Sequence, residues 1–117
     1  MASQHQPGIA KEYLSLPILL MKEPFLDEDG EQFLWSGFSI VGGADPAIRQ
    51  RIYNGGIYIS NVTPNSPASK CGLKINDKIL QVNGYDLTTA TLEEARKFMQ
   101  KYPGLWMLVA RTRDIHF

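Results

Sequence analysis

The chain reads as short strand-like runs interrupted by two stretches with helical ends. Tyr13, Leu14, Leu16, Ile18, Leu19, Leu20 and Met21 suit a buried strand. Pro17, which cannot donate to a ladder, marks that strand as an edge or a bulge. Asp27-Glu28-Asp29-Gly30 is a turn, with Gly30 free to take a positive φ. Two further runs, Phe38-Ser39-Ile40-Val41 and Gly56-Ile57-Tyr58-Ile59-Ser60-Asn61-Val62, alternate apolar side chains with smaller or polar ones, as strands do. A long loop, residues 42–55, separates them and holds Arg49 and Arg51.

Ser66-Pro67 has the form of a cap followed by proline at the first helical position, and Gly72 closes that short helix a turn later. Thr91-Leu92-Glu93-Glu94 is a capping box, hydroxyl at the cap and carboxylate three residues on. Its helix is expected to run to about Lys101, because Tyr102-Pro103-Gly104 stops it. Between the helices, residues 77–82 read as a strand ending in the tight turn Asn83-Gly84, and residues 105–112 as a last strand. Residues 1–12 and 113–117 read as tails around one domain, residues 13–112. Mixed elements with hairpin-length links predict an α+β domain on antiparallel strands.

Composition narrows the function. With 117 residues there is room for one domain, and 12 basic against 12 acidic side chains leave no net charge. That balance excludes a nucleic-acid binder, which needs a basic surplus to displace counterions. One cysteine, Cys71, forms no intramolecular disulfide. The apolar run at residues 14–21 falls short of the roughly 20 residues that cross a bilayer, and nothing around it resembles a cleaved leader. A reducing compartment, the cytoplasm, is the expectation, with any place at the plasma membrane coming through partners.

Catalysis finds no constellation. The two histidines, His5 and His116, both fall in the expected tails, away from a rigid nucleophile–base pair. Cys71 reads as a small buried hydrophobe, and a zinc site lacks ligands. The acidic turn lacks the spacing of a calcium loop, and Gly42-Gly43 lacks the lysine of a phosphate loop. No enzyme, metal or cofactor is expected.

Binding is better supported. Trp35-Ser36-Gly37-Phe38 is a glycine turn feeding straight into a strand, and such a turn aims successive backbone N–H groups at one point. A strand edge beside an amphipathic helix suits a peptide added as an extra strand, its terminal carboxylate held by those N–H groups.

These residues carry a family resemblance. Gly37-Phe38-Ser39-Ile40, Gly56-Ile57-Tyr58-Ile59, Ser66-Pro67-Ala68, the run Cys71-Gly72-Leu73-Lys74-Ile75-Asn76-Asp77-Lys78-Ile79-Leu80-Gln81-Val82-Asn83-Gly84, and residues 91–95 resemble a PDZ domain over residues 14–112. Residues 35–40 and Ala95-Arg96-Lys97 are similar to its single-domain, Tax-interacting branch. The resemblance implies a partly open antiparallel barrel or sandwich of five to six strands with one short and one longer helix. It implies that the amides of Ser36, Gly37 and Phe38 take the carboxylate of a partner's C-terminal tail. Phe38, Ile40, Leu92, Arg96 and Met99 would line the groove, with Trp35 beside it. Helical spacing independently places positions 92, 96 and 99 on one face, and Ala95, Phe98 and Tyr102 on a neighbouring stripe assigned to the core.

Two positions depart from the family pattern. Ser36 stands where a large apolar residue is usual, leaving a looser pocket unless Trp35 compensates. Leu92 stands where many relatives place a histidine that hydrogen-bonds a ligand serine or threonine. Leucine makes no such bond, so a buried hydroxyl there costs on the order of 1–3 kcal/mol. An apolar side chain there gains about 1.5–3 kcal/mol. Hydrophobic-x-hydrophobic termini are therefore expected, with Ser/Thr-x-hydrophobic as the alternative. Main-chain bonds, one carboxylate and two buried side chains, set against the cost of association, predict binding of about 1 μM, roughly −8 kcal/mol.

Other features are secondary. Arg49 and Arg51 would attract acidic residues upstream in a ligand or remain solvated, and Lys22 would offset the acidic run at residues 27–29. Ile115-His116-Phe117 itself fits the expected ligand pattern, which leaves two readings, weak self-association or a frayed apolar end. A bulky residue at position 37 is expected to abolish binding and spare the fold. A lone module would compete with multidomain scaffolds for the same tails. A PDZ-like regulatory piece of a protease is the alternative class, and a lipid-surface adaptor has no basic helix to support it.

Overall fold

The computed structural model describes residues 9–44 and 55–116. Its eight strands and two helices run β1 (Ile9–Met21), β2 (Glu23–Leu26), β3 (Gln32–Trp35), β4 (Phe38–Gly42), β5 (Ile57–Val62), α1 (Pro67–Lys70), β6 (Lys78–Val82), β7 (Tyr85–Asp86), α2 (Leu92–Gln100) and β8 (Gly104–His116). Six strands form one antiparallel sheet in the order β1-β8-β6-β5-β4, with β7 paired to β6. The sheet is open and sandwich-like rather than a closed barrel, so β1 and β4 are its edges. Pro17 lies on the β1 edge, where its missing N–H costs no ladder bond.

Alternation places Ile18, Leu20, Ile57, Ile59, Ile79, Val82, Leu105, Met107 and Val109 in the core, closed over by Ala68, Leu73, Leu87, Ala95 and Met99. Local signals set both helices. Ser66 caps α1, its hydroxyl accepting from the Ser69 N–H, with Pro67 at the first turn. Thr91 and Glu94 cap α2 reciprocally, Thr91 N–H to Glu94 Oε1 at 2.9 Å and Glu94 N–H to Thr91 Oγ1 at 3.1 Å. Asn83 (φ 51°) and Gly84 (φ 82°) make the two-residue hairpin between β6 and β7.

Two features add to or differ from the sequence expectation. The main sheet has the expected six strands, and outside it β2 and β3 pair as a separate hairpin around the acidic turn, Phe25 opposite Phe33. In that turn Asp27 Oδ1 accepts the N–H groups of Asp29 and Glu31, a local role for its carboxylate. The ladder between β1 and β8 also takes in residues 9–12 and 113–116, read above as tails, with Ile9 opposite His116 and Ala10 opposite Ile115. Each segment supplies the other's partners, a long-range pairing that local composition does not reveal. Phe117, His5, Arg49 and Arg51 lie outside the described residues.

Asp77, 1% exposed, ties the β6 end to β8: Arg111 Nε and Nη2 donate to its two oxygens at 2.8 and 2.7 Å, and the Lys74 N–H completes the set.

Candidate functional site

Gly37 is a point where the backbone leaves no choice. Its φ is +88°, and a Cβ there would overlap the Cβ and Oγ of Ser66, the α1 cap. A side chain at position 37 therefore disturbs the fold, which corrects the expectation of an intact fold. The flanking peptide planes are fixed by their carbonyls. Ser36 O accepts from the Ala68 N–H at 2.9 Å and Gly37 O from the Thr63 N–H at 2.8 Å. Both peptides are trans, so the N–H on the far side of each plane, of Gly37 and of Phe38, points away from α1 and β5. Phe38 then opens β4, a free edge among the described residues, whose pairing with β5 shifts register between Ser39 and Ile40.

The free edge faces α2 across a cleft of about 310 Å³. Phe38, Met99 and Leu105 give it an apolar floor, Met99 being 5% exposed and Leu105 fully buried. Ser36, Ser39 and Ile40 line the strand side, and Arg96 and Gln100 the helix side. At the far end Ala44 N–H donates to Ala90 O at 2.8 Å, so β4 and α2 run antiparallel and the C-terminal end of α2 lies beside the residue 36–38 turn.

Lys22 is the residue that sequence reasoning missed as part of the site. It lines the cleft, and its Nζ donates to the Met99 carbonyl at 2.6 Å, meeting the negative end of α2. Burial lowers its pKa from the ordinary lysine value. Only its place just after the first strand could have signalled it. The cleft thus combines amide donors, one partly desolvated cation and an apolar floor, an arrangement that takes an anion attached to an apolar group.

Of the expected residues, Ser36, Phe38, Ile40, Arg96 and Met99 meet at this cleft, with Gly37 buried in the turn behind it. Leu92 does not reach its wall: it is half-buried against the core, at the start of α2 beside Gly43. Trp35 also lies off the wall, its ring 5.5 Å from Phe25 on the hairpin. Of the adjacent α2 stripe, Ala95 is fully buried and Phe98 packs on the core, while Tyr102 stays exposed with its ring against Phe98.

A second hollow of about 290 Å³, behind α2, is lined by Tyr85, Leu87 and Phe98 with Asp86 and Glu94. It offers acids already used in a turn and a cap, hence nothing to attract an anion. Cys71 is half-buried at the end of α1, its Sγ 3.3 Å from Ala68 O, and burial pushes its thiol pKa up. It is held as the thiol, away from nucleophilic chemistry. Among the described residues no three His, Cys, Asp or Glu side chains gather for a metal, and no helix is long and apolar enough to cross a membrane.

Comparison with known proteins agrees with this geometry. The PDZ domain pattern matches residues 27–110. The Tax1-binding protein 3 homolog of Caenorhabditis elegans is 43% identical over 111 residues, 92% of this chain and 90% of that protein. Human Tax1-binding protein 3 is 44% identical over 70 residues, 56% of each chain. Among solved structures, wild-type TIP-1 superposes with a TM-score of 0.69 at 35% identity, covering 86% of this chain and 89% of that one. The third PDZ domain of INAD, solved in complex with a TRP channel tail, shares the fold with a TM-score of 0.59 at 21% identity, over 82% of this chain and 84% of that one. The chain belongs to the PDZ domain family, whose members are non-catalytic, peptide-binding interaction modules.

Proposed function

We propose that the cleft takes the C-terminal residues of partner proteins as an added strand on β4, with the terminal carboxylate at the amides of Ser36, Gly37 and Phe38 and facing Lys22. The observation that carries this reading is the pair of carbonyls tied back at 36 and 37, which turns the next two N–H groups away from the body beside a partly buried ammonium. An unpaired strand edge supplies main-chain bonds further along. The INAD domain, with the same fold, holds a channel tail in its own structure.

The last ligand side chain sits on Phe38, Met99 and Leu105. The third from last lies toward Leu92, which has no donor or acceptor, so the preferred terminus is hydrophobic-x-hydrophobic. Affinity is about 1 μM, reversible docking. Occupying tails that multidomain scaffolds also bind makes this groove an antagonist of those scaffolds in cytoplasmic signalling, reaching the plasma membrane through the tails it binds. Amide chemical shifts in a titration with a hydrophobic-x-hydrophobic peptide test the site. They are expected to move first at residues 36–40 and along α2; movement confined to the hollow behind α2 would refute it.

A further inference from the structure

We propose that Arg96 selects an acidic side chain at the penultimate position of the ligand, so that the preferred terminus is hydrophobic-(Asp or Glu)-hydrophobic; this deepens, and rests on, the groove reading above. Among the described residues, those lining the cleft include two cations, Lys22 and Arg96, and no carboxylate, although the chain as a whole has no net charge. A terminal carboxylate accounts for one of these cations. Lys22 sits at the Met99 carbonyl, next to the turn that presents the amides, and Arg96 is left for a second anion.

Spacing identifies where that anion lies. A ligand strand runs antiparallel to β4, and α2 also runs antiparallel to β4, so ligand and helix advance together. Arg96 precedes Met99 by three residues, about 4.5 Å along a helix rising ~1.5 Å per residue. A strand advances ~3.3 Å per residue. With the last ligand residue level with Met99, the penultimate one lies about 1 Å from level with Arg96 and the third from last about 2 Å beyond it. Direction agrees with spacing. Successive strand side chains face opposite ways, so when the last one enters the floor the penultimate one points to the mouth. Met99 is buried at the floor, whereas the Arg96 side chain is 50% exposed at the mouth.

Arg96 is also free to turn. Its partner Glu93 lies 3.8 Å away and is shared with Lys97, also at 3.8 Å, both contacts exposed and long. Swinging Arg96 toward a ligand carboxylate leaves Glu93 with Lys97, so the exchange strands no charge. Arginine's planar fork then meets the carboxylate with two parallel N–H donors.

Fluorescence anisotropy on peptides identical except at one position tests this. Each has a free carboxylate and an apolar last and third-from-last residue; the penultimate residue is Glu, Gln or Lys, and a fourth peptide moves Glu to the third-from-last position. Glu at the penultimate position is expected to bind about two- to fivefold more tightly than Gln at low salt, the range of an exposed ion pair. Lys binds more weakly than Gln, and salt of about 0.5 M removes the differences. Arg96→Gln brings the Glu/Gln ratio to one, whatever its effect on the affinity common to both peptides. A ratio that survives in Arg96→Gln, a ratio of one in the unaltered protein, or a gain from Glu only at the third-from-last position overturns the inference while the groove reading stands. Equal binding of the Gln peptide as free acid and as C-terminal amide overturns the groove reading, and this inference with it.

Discussion

Lys22 Nζ donates to the Met99 carbonyl oxygen at 2.6 Å, joining the residue after β1 to the end of α2 across 77 positions of sequence. One contact thereby ties the segment between β1 and β2 to the end of α2 and sets a positive charge in the cleft. Replacing Lys22 with Gln is expected to weaken a free-acid peptide about tenfold, within the range for a charge-assisted bond. Lys22→Arg keeps most of the affinity. Isothermal titration of both variants with one peptide checks this.

The same lysine gives binding a pH dependence. Desolvation disfavours the ammonium, so Lys22 loses its proton at a lower pH than an exposed lysine does. Carboxylate affinity is therefore full below that lowered pKa and falls as pH rises through it. A bound carboxylate favours the ammonium and raises the pKa again, so binding takes up protons in the alkaline range. Affinity of the unaltered protein is expected to decline as the pH is raised through the alkaline range, toward the level expected of Lys22→Gln, while Lys22→Arg stays flat.

Gly37→Ala tests the turn. The left-handed backbone at 37 costs a non-glycine residue about 1–2 kcal/mol, before the overlap with Ser66 is relieved. Urea denaturation is expected to show a loss of at least that size, with peptide binding reduced in the folded fraction. Unchanged stability would mean that the α1 cap does not hold the turn.

Arg111→Met leaves the Asp77 carboxylate buried without its bidentate partner. The expected loss is about 3 kcal/mol in denaturant unfolding, the lower end for breaking a buried pair. Asp77→Asn combined with Arg111→Met loses less than Arg111→Met alone, because no charge is then stranded. Peptide affinity of the folded protein stays the same, since neither residue lines the cleft.

Thr91→Ala removes one half of the α2 cap and is expected to cost about 1 kcal/mol by thermal or denaturant unfolding. That cap, the Ser66-Pro67 start of α1 and the Asn83-Gly84 hairpin were all legible in the sequence because each is decided within four residues. The glycine turn before β4 was legible for the same reason, and with it the amide end of the site. The hairpin of β2 and β3 was not. Phe25-Leu26 and Phe33-Leu34 place apolar side chains side by side, without the alternation that marks a half-buried strand. Lys22 entered the site through a contact with a helix 77 positions away, and Trp35 left the groove wall through cross-strand packing on Phe25. Leu92 sits on the expected face of α2, but its place beside Gly43 at the helix start carries it past the cleft wall. In each case the deciding partner is brought by tertiary structure, and no local pattern announces it.

The central claim is that the turn at residues 36–38, with Lys22, captures a carboxylate at a chain end. One comparison tests it most directly: the affinity of a hydrophobic-Glu-hydrophobic peptide as the free acid and as the C-terminal amide, measured by titration calorimetry at neutral pH. A charged group exchanged for a neutral one at these donors predicts a drop of about tenfold or more for the amide. Equal affinity of acid and amide would contradict the account.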